Sequence, residues 1–170
     1  MAERELQRAR EPESKEAYFY EGLMRVWKEA RERGLTGRVV IKAKDIPFEQ
    51  NRQGLAKNFL HPLMTDTADS AWNFFIHDIR NHSGMHRHQG GLAIYVIEGK
   101  GWTTVDGVKY DWEEGDLLLL PIKKGGCEHQ HFNAEPGKPC KWLAMIYLHF
   151  IDRLGSELTQ TKVSPDYTHV

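Results

Sequence analysis

The spacing of hydrophobic residues divides the 170-residue chain into one helical segment and a long β-rich region. Between Lys15 and Arg33 the apolar residues recur every three or four positions, which predicts an amphipathic helix. Its apolar face consists of Phe19, Leu23, Val26, Trp27 and Ala30. After Gly37 the period changes to two, which indicates β-strands.

Short apolar runs separated by turn residues predict the strands of this region. They cover residues 39–41, 59–64, 71–80, 92–97, 102–105, 108–112, 117–120, 127–132 and 141–151. Asp106-Gly107 indicates a tight hairpin, because a type I′ turn needs residues that tolerate positive φ. Segment 71–80 is largely apolar on both faces, which is typical of sandwiches or subunit contacts. The pattern therefore predicts an all-β barrel or sandwich with an N-terminal α-helix.

These patterns indicate three segments along the chain. Residues 1–37 are expected to form a mobile N-terminal stretch and the amphipathic helix, and residues 38–151 the β-barrel. Residues 152–170 are polar, and we expect a tail that packs loosely or on a neighbouring subunit. The helix and the doubly apolar strand together predict a homodimer or a higher homo-oligomer.

Composition narrows the possible partners and the compartment. The formal net charge of −1, from 23 basic and 24 acidic residues, gives no general attraction to nucleic acid or to an anionic membrane. No apolar run is long enough to span a bilayer, and the charged N-terminus does not resemble a secretory signal. Because two cysteines make no disulfide framework, we expect a reducing cytoplasm.

Two His-x-His pairs carry the candidate chemistry. Side chains alternate along an extended strand, so His86 and His88 share one face, as do His129 and His131. We predict that His86, His88 and His129 bind one divalent metal and that His131 lies beside it. The alternative is a set of hydrogen-bonded core histidines without a metal. Imidazole suits Fe, Zn, Cu and Ni, and three histidines with open positions are equally a catalytic zinc arrangement.

The order of these motifs resembles that of the cupin superfamily. His86-x-His88 is followed by Glu98-Gly99, and then by Gly115, Pro121 and Gly126-x-x-His129-x-x-x-Asn133. The resemblance covers roughly residues 71–150 and implies a jelly-roll β-barrel with a metal site inside. Two positions depart from the family pattern: Arg80 replaces an expected Gly, and Leu92 replaces the Glu that is a ligand in most metal-binding cupins.

A site with three histidines and no Glu resembles those of the thiol dioxygenases and the gentisate 1,2-dioxygenases. Within that set, His86-Arg87-His88 followed by His129-x-His131-x-Asn133 is most similar to the gentisate group. This resemblance implies that Fe(II) is the favoured metal, with Zn, Mn, Ni and Cu as alternatives. It also implies that His131 takes part in proton transfer or contacts the substrate, whereas the alternative for His131 is a supporting or surface role. Gentisate dioxygenases usually carry two cupin domains, and this chain has room for one.

Three further residues are candidates for substrate binding. Arg80 lies six residues before His86 and could bind a carboxylate bidentately. Gln89 and Tyr147 are the other two candidates. Two of the three have a structural alternative: a surface or interface position for Arg80, and packing in the core or at the rim for Tyr147.

The sequence therefore predicts a metal-dependent dioxygenase that cleaves a small hydroxylated aromatic acid similar to gentisate or salicylate. One alternative is a cupin lyase, isomerase or hydrolase that uses its metal as a Lewis acid. The other is a cupin that binds a ligand without turnover. A small aromatic carboxylate is the expected partner in the first case.

Overall fold

The computed structural model describes residues 18–168, which form two units. The N-terminal stretch that was expected to be mobile lies outside the described residues. In the first unit, helix α1 spans Phe19–Thr36, which confirms the predicted N-terminal helix. The backbone N–H of Gly37 closes its last turn on the carbonyl of Arg33 at 2.8 Å. No residue of α1 is buried.

The second unit consists of two antiparallel sheets. Within the described residues the strands are β1 (Glu49–Asn51), β2 (Gly54–Leu60), β3 (Trp72–Asp78), β4 (Met85–His88), β5 (Leu92–Glu98), β6 (Lys100–Val105), β7 (Val108–Glu113), β8 (Leu117–Leu120), β9 (Cys127–Asn133), β10 (Lys141–Tyr147) and β11 (Thr159–Lys162). Helix α2 (Leu148–Arg153) follows β10. One sheet has the order β1-β2-β3-β10-β5-β8, and the other β11-β4-β9-β6-β7. The all-β class predicted from the sequence is confirmed.

A buried apolar cluster draws side chains from both sheets. Ile94, Val96 and Trp142 come from the six-stranded sheet, and Val105 and Trp112 come from the five-stranded sheet. Burial of these side chains removes apolar surface from water, which is the main favourable term in folding. The two inner faces therefore pack against each other.

Three boundaries differ from the sequence expectation. Residues 39–41 are not a strand, and Val39 and Val40 are 85% and 70% exposed, because no neighbouring strand pairs with them. The predicted strand 59–64 overlaps only the end of β2. The first residues of β2 follow the turn of the β1–β2 hairpin directly, so the sequence pattern assigned them to a loop. The predicted last strand ends at Tyr147, where α2 begins.

The predicted C-terminal tail contains a strand that hydrophobic periodicity could not reveal. β11 has the sequence Thr-Gln-Thr-Lys and pairs with β4, with Gln160 opposite His86. It lies at the edge of the five-stranded sheet, where a polar strand is tolerated because one side faces solvent.

Among residues 18–168, no helix combines the length and the apolar composition that a crossing of the bilayer requires.

Candidate metal centre

Strand pairing brings the two His-x-His segments together. β4 and β9 are neighbours in the five-stranded sheet, and His86 is directly opposite His129. The ring of His129 has its centroid 4.2 Å from that of His86 and 4.7 Å from that of His88. One nitrogen from each of the three rings lies within 4.8 Å of the others, so they could hold one metal ion. All three side chains are buried.

The hydrogen bonds of His129 leave one nitrogen free to coordinate. Its Nδ1 lies 3.2 Å from the carbonyl oxygen of Cys127. Nδ1–H donates to that carbonyl, so the lone pair of the neutral ring is on Nε2. Nε2 is buried and has no partner among the described residues. A histidine that coordinates a metal usually donates its other ring N–H to a carbonyl or a carboxylate. The hydrogen bond of His129 therefore fits coordination of a divalent metal through Nε2.

His88 is held differently. The backbone N–H of Gly90 donates to His88 Nδ1 at 3.1 Å, so a neutral His88 carries its proton on Nε2. Coordination through Nε2 therefore requires this hydrogen bond to break and the proton to move to Nδ1. Gly90 and Gly91 both have positive φ, at 86° and 73°, and this turn follows the ligand strand directly.

Burial keeps the three imidazoles neutral. Removal from water, and then the neighbouring His88, lower the pKa of His86 to about 4. The same cause, together with His86 and His88, lowers the pKa of His129 to about 2. Burial also lowers the pKa of His88. A neutral imidazole has the lone pair that a metal needs, so burial favours the protonation state that coordination requires at neutral pH.

His131 lies beside this group but outside it. Its side chain is 1% exposed, and its ring centroid is 5.5 Å from that of His129. Trp112 Nε1–H donates to Thr103 Oγ1 at 2.9 Å, and that oxygen lies 2.7 Å from His131 Nδ1. Burial, and then His129, hold the pKa of His131 well below its ordinary value. The acid/base role of His131 stays a prediction.

A cavity of about 580 Å³ lies next to the histidines. His86 and His88 are part of its wall, whereas His129 and His131 are not. The inner face of the six-stranded sheet contributes the side chains of Asn73, Phe75, His77, Leu92 and Ile146. The β1–β2 hairpin contributes Arg52, and the C-terminal segment contributes Ser156, Leu158 and Gln160. The cavity is thus polar at some edges and apolar along much of one wall.

The three predicted substrate-binding residues are not in this wall. Arg80 is exposed and lines a separate depression of about 290 Å³. The Oε1 of Gln89 accepts hydrogen bonds from Ser156 Oγ at 2.9 Å and from Glu157 N–H at 2.8 Å. Tyr147 is 43% exposed and packs on Trp72, with 5.1 Å between ring centroids. Their roles in substrate binding remain predictions.

Sequence reasoning missed most of the residues that line the cavity, among them Asn73, His77 and Arg52. Asn73 and His77 share one face of β3 with Phe75, so their alternation was a usable signal. Arg52 had no such signal, because it lies in a polar stretch that reads as a loop. Arg52 is exposed and lines the cavity, whereas Arg80 does not line it.

Comparisons with known proteins agree with this geometry. Residues 77–146 match the family model of the cupin domain. A 78-residue stretch is 35% identical to a gentisate 1,2-dioxygenase from a Streptomyces species and covers 45% of this chain and 21% of that relative. The chain thus spans only about a fifth of the length of this curated relative. The predicted resemblance to the cupins, and within them to gentisate dioxygenases, is confirmed.

Two solved structures support the fold. A salicylate 1,2-dioxygenase variant from Pseudoaminobacter salicylatoxidans, in complex with gentisate, aligns with a TM-score of 0.53 at 23% identity. The alignment covers 94% of this chain and 42% of that one. A cupin-like protein from Thermotoga maritima aligns with a TM-score of 0.51 at 16% identity, over 68% of this chain and 88% of that one.

Burial of neutral histidines predicts that the metal-free protein loses stability in mild acid. Burial, and then His86, lower the pKa of His77 from 6.5 to about 4. Below pH 6.5 the unfolded chain binds more protons than the folded one. The free energy of unfolding therefore decreases as the pH is lowered. His77 alone should remove about 2 kcal/mol between pH 7 and pH 5.

Urea unfolding in the presence of EDTA at these two pH values measures this change. His77→Gln should reduce the difference between the two pH values. An equal free energy of unfolding at pH 7 and pH 5 would contradict the prediction.

Proposed function

We propose that this cupin-domain protein is a metal-dependent dioxygenase that cleaves a small hydroxylated aromatic acid, with Fe(II) as the favoured metal. The observation that carries the proposal is the convergence of His86, His88 and His129 beside a cavity that Leu92 also lines, with no carboxylate in the metal-binding group found among the described residues. Three neutral imidazoles leave coordination positions for a chelating substrate and for dioxygen. The similarity to gentisate dioxygenases supports the same reaction class.

The metal would supply Lewis acidity and a path for electrons between the aromatic ring and dioxygen. The chain's own residues would bind, orient and shield the substrate. Phe75, Leu92 and Ile146 give the ring an apolar wall that excludes water. Arg52 is the cation in the cavity lining that suits a carboxylate, because a guanidinium binds carboxylates bidentately.

We also propose that His131 holds a proton near the site. When the Thr103 hydroxyl donates to Nδ1, the proton of neutral His131 is on Nε2, which is buried and has no partner among the described residues. The depressed pKa of His131 favours the neutral ring, which can release a proton only after accepting one. This arrangement supports a role in which His131 accepts a proton and then passes it on, rather than one in which the ring stays protonated.

A Lewis-acid lyase, isomerase or hydrolase is the second candidate. Three histidines with open positions also suit catalytic zinc. Both cysteines are free and buried, which supports a reducing compartment, and hence our proposal of a cytoplasmic location, for either candidate.

Oxygen consumption tests the proposed reaction. The Fe(II)-loaded protein, given gentisate or salicylate in air, should consume one dioxygen for each aromatic ring opened, measured with an oxygen electrode and by loss of ring absorbance. Arg52→Ala should raise KM for the acid by roughly tenfold, through loss of a charged hydrogen bond.

Protein loaded with Zn(II) is the control and should be inactive. Turnover of an aromatic acid by the zinc form without dioxygen would favour the second candidate. Absence of oxygen uptake with both acids would count against the dioxygenase.

The ligand set predicts a specific effect of His88→Ala. Two imidazoles hold a divalent metal much more weakly than three, so the variant should lose stoichiometric metal after dialysis while its circular dichroism stays native. Metal content by mass spectrometry measures the change. His149→Ala removes an exposed imidazole outside the cavity lining and should leave the metal content unchanged. Full metal content in His88→Ala would refute the ligand set.

We propose in addition that the protein is a homodimer. Phe19, Val26 and Trp27 of α1 are 98%, 56% and 52% exposed, and apolar surface of this kind is typical of association sites. Light scattering at micromolar concentration should give twice the monomer mass. Val26→Glu combined with Trp27→Glu should lower the mass, and Lys28→Glu on the polar face should not. A monomeric parent protein would rule this out.

A further inference from the structure

The β1–β2 hairpin brings Arg52 to the cavity, and its turn contacts a buried histidine of the neighbouring strand β3. The turn lies between Asn51 and Gly54, which pair with each other. His77 of β3 is 2% exposed, and both His77 and Arg52 line the cavity. His77 is not one of the three converging imidazoles, so its burial at this place needs another explanation.

The imidazole of His77 fits closely against the hairpin turn. It forms a hydrogen bond with the backbone of Gln53. Since this hydrogen bond acts to raise the pKa of the ring, the N–H of His77 donates to the Gln53 carbonyl. Gly54 has a φ of 135°, and a Cβ at this position would overlap Nε2 of His77. Glycine is the residue that allows both this backbone conformation and this close approach of the ring.

The same turn is tied to the segment that leads into the ligand strand β4. The backbone N–H of Gly84 donates to the Gln53 carbonyl at 2.9 Å, and the N–H of Ser164 donates to the Arg52 carbonyl at 2.9 Å. Gly84 is two residues before His86 in the chain. These contacts hold the backbone of Arg52 relative to a proposed metal ligand, and the ring of His77 holds it from the opposite sheet.

We propose that His77 is a positioning residue that acts through the Gln53 carbonyl and holds the hairpin so that the Arg52 guanidinium meets the carboxylate of the substrate. A bidentate contact requires a defined position of the guanidinium, and an arginine side chain has several rotatable bonds. A fixed backbone removes part of that freedom before the ligand binds. The inference rests on the proposed function, since it takes an aromatic carboxylate as the ligand of Arg52.

Hydrogen exchange tests the anchoring of the turn without any ligand. In zinc-loaded His77→Leu, peptides that cover residues 49–55 should exchange their amide hydrogens about fivefold faster than in the parent, which is the range of one neutral hydrogen bond. His77→Gln, whose amide N–H can replace the ring N–H, should restore slow exchange. His149→Leu, which replaces an exposed histidine outside the cavity lining, should exchange as the parent does.

Binding of salicylate to the zinc-loaded protein under nitrogen tests the consequence for Arg52. Calorimetry should give a dissociation constant about fivefold higher for His77→Leu than for the parent, and a value near that of the parent for His77→Gln. In the Arg52→Ala background, His77→Leu should change the dissociation constant by less than about twofold, because the group that it positions is already absent. Zinc content by mass spectrometry should be the same in all these variants.

The outcomes separate a positioning role from general damage to the cavity. An equal loss of affinity from His77→Leu with and without Arg52 would overturn the proposal, and so would unchanged exchange of residues 49–55. Loss of zinc from His77→Leu would assign the effect to the metal site and would also overturn it. Failure of salicylate to bind the parent protein would refute the proposed function and the role of Arg52, while hydrogen exchange would still report whether His77 anchors the turn.

Discussion

The site depends on the antiparallel pairing of β4 with β9. This pairing sets His86 opposite His129 and thereby joins two segments that are about forty residues apart in the chain. A shift of one residue in the register would turn one strand's imidazoles to the outer face, because side chains alternate along a strand. The hydrogen bonds of the ladder therefore hold His86 and His129 side by side on one face of the sheet.

This arrangement conflicts with simple core packing. Five buried histidines, namely His77, His86, His88, His129 and His131, lie near an apolar cluster that would be more stable with aliphatic side chains. They are tolerated because each is neutral and several have one nitrogen paired, for example His131 with Thr103. The nitrogens that stay unpaired, such as Nε2 of His129, lower stability, and a metal bound as proposed would give that nitrogen a partner.

Segments outside the matched cupin region complete the cavity. Residues 77–146 match the family model, yet Arg52, Asn73 and Gln160 all lie outside that range. Gln160 is held by hydrogen bonds from its Nε2 to the carbonyls of Met85 and Lys162, so its position is tied to the ligand strand. The three converging histidines thus lie within the matched region, while part of the cavity lining comes from the flanking segments.

The sequence alone determined the features that arise from local geometry: the helical spacing of α1, the Asp106-Gly107 hairpin, and the shared face within each His-x-His pair. Tertiary structure decided which of these faces meet. It placed Arg52 rather than Arg80 in the cavity, and it set Asn73 beside Ile146 and Leu92, residues that are distant in the chain. Side-chain alternation is a property of one strand, whereas register and strand order depend on pairings between distant segments, which no local pattern encodes.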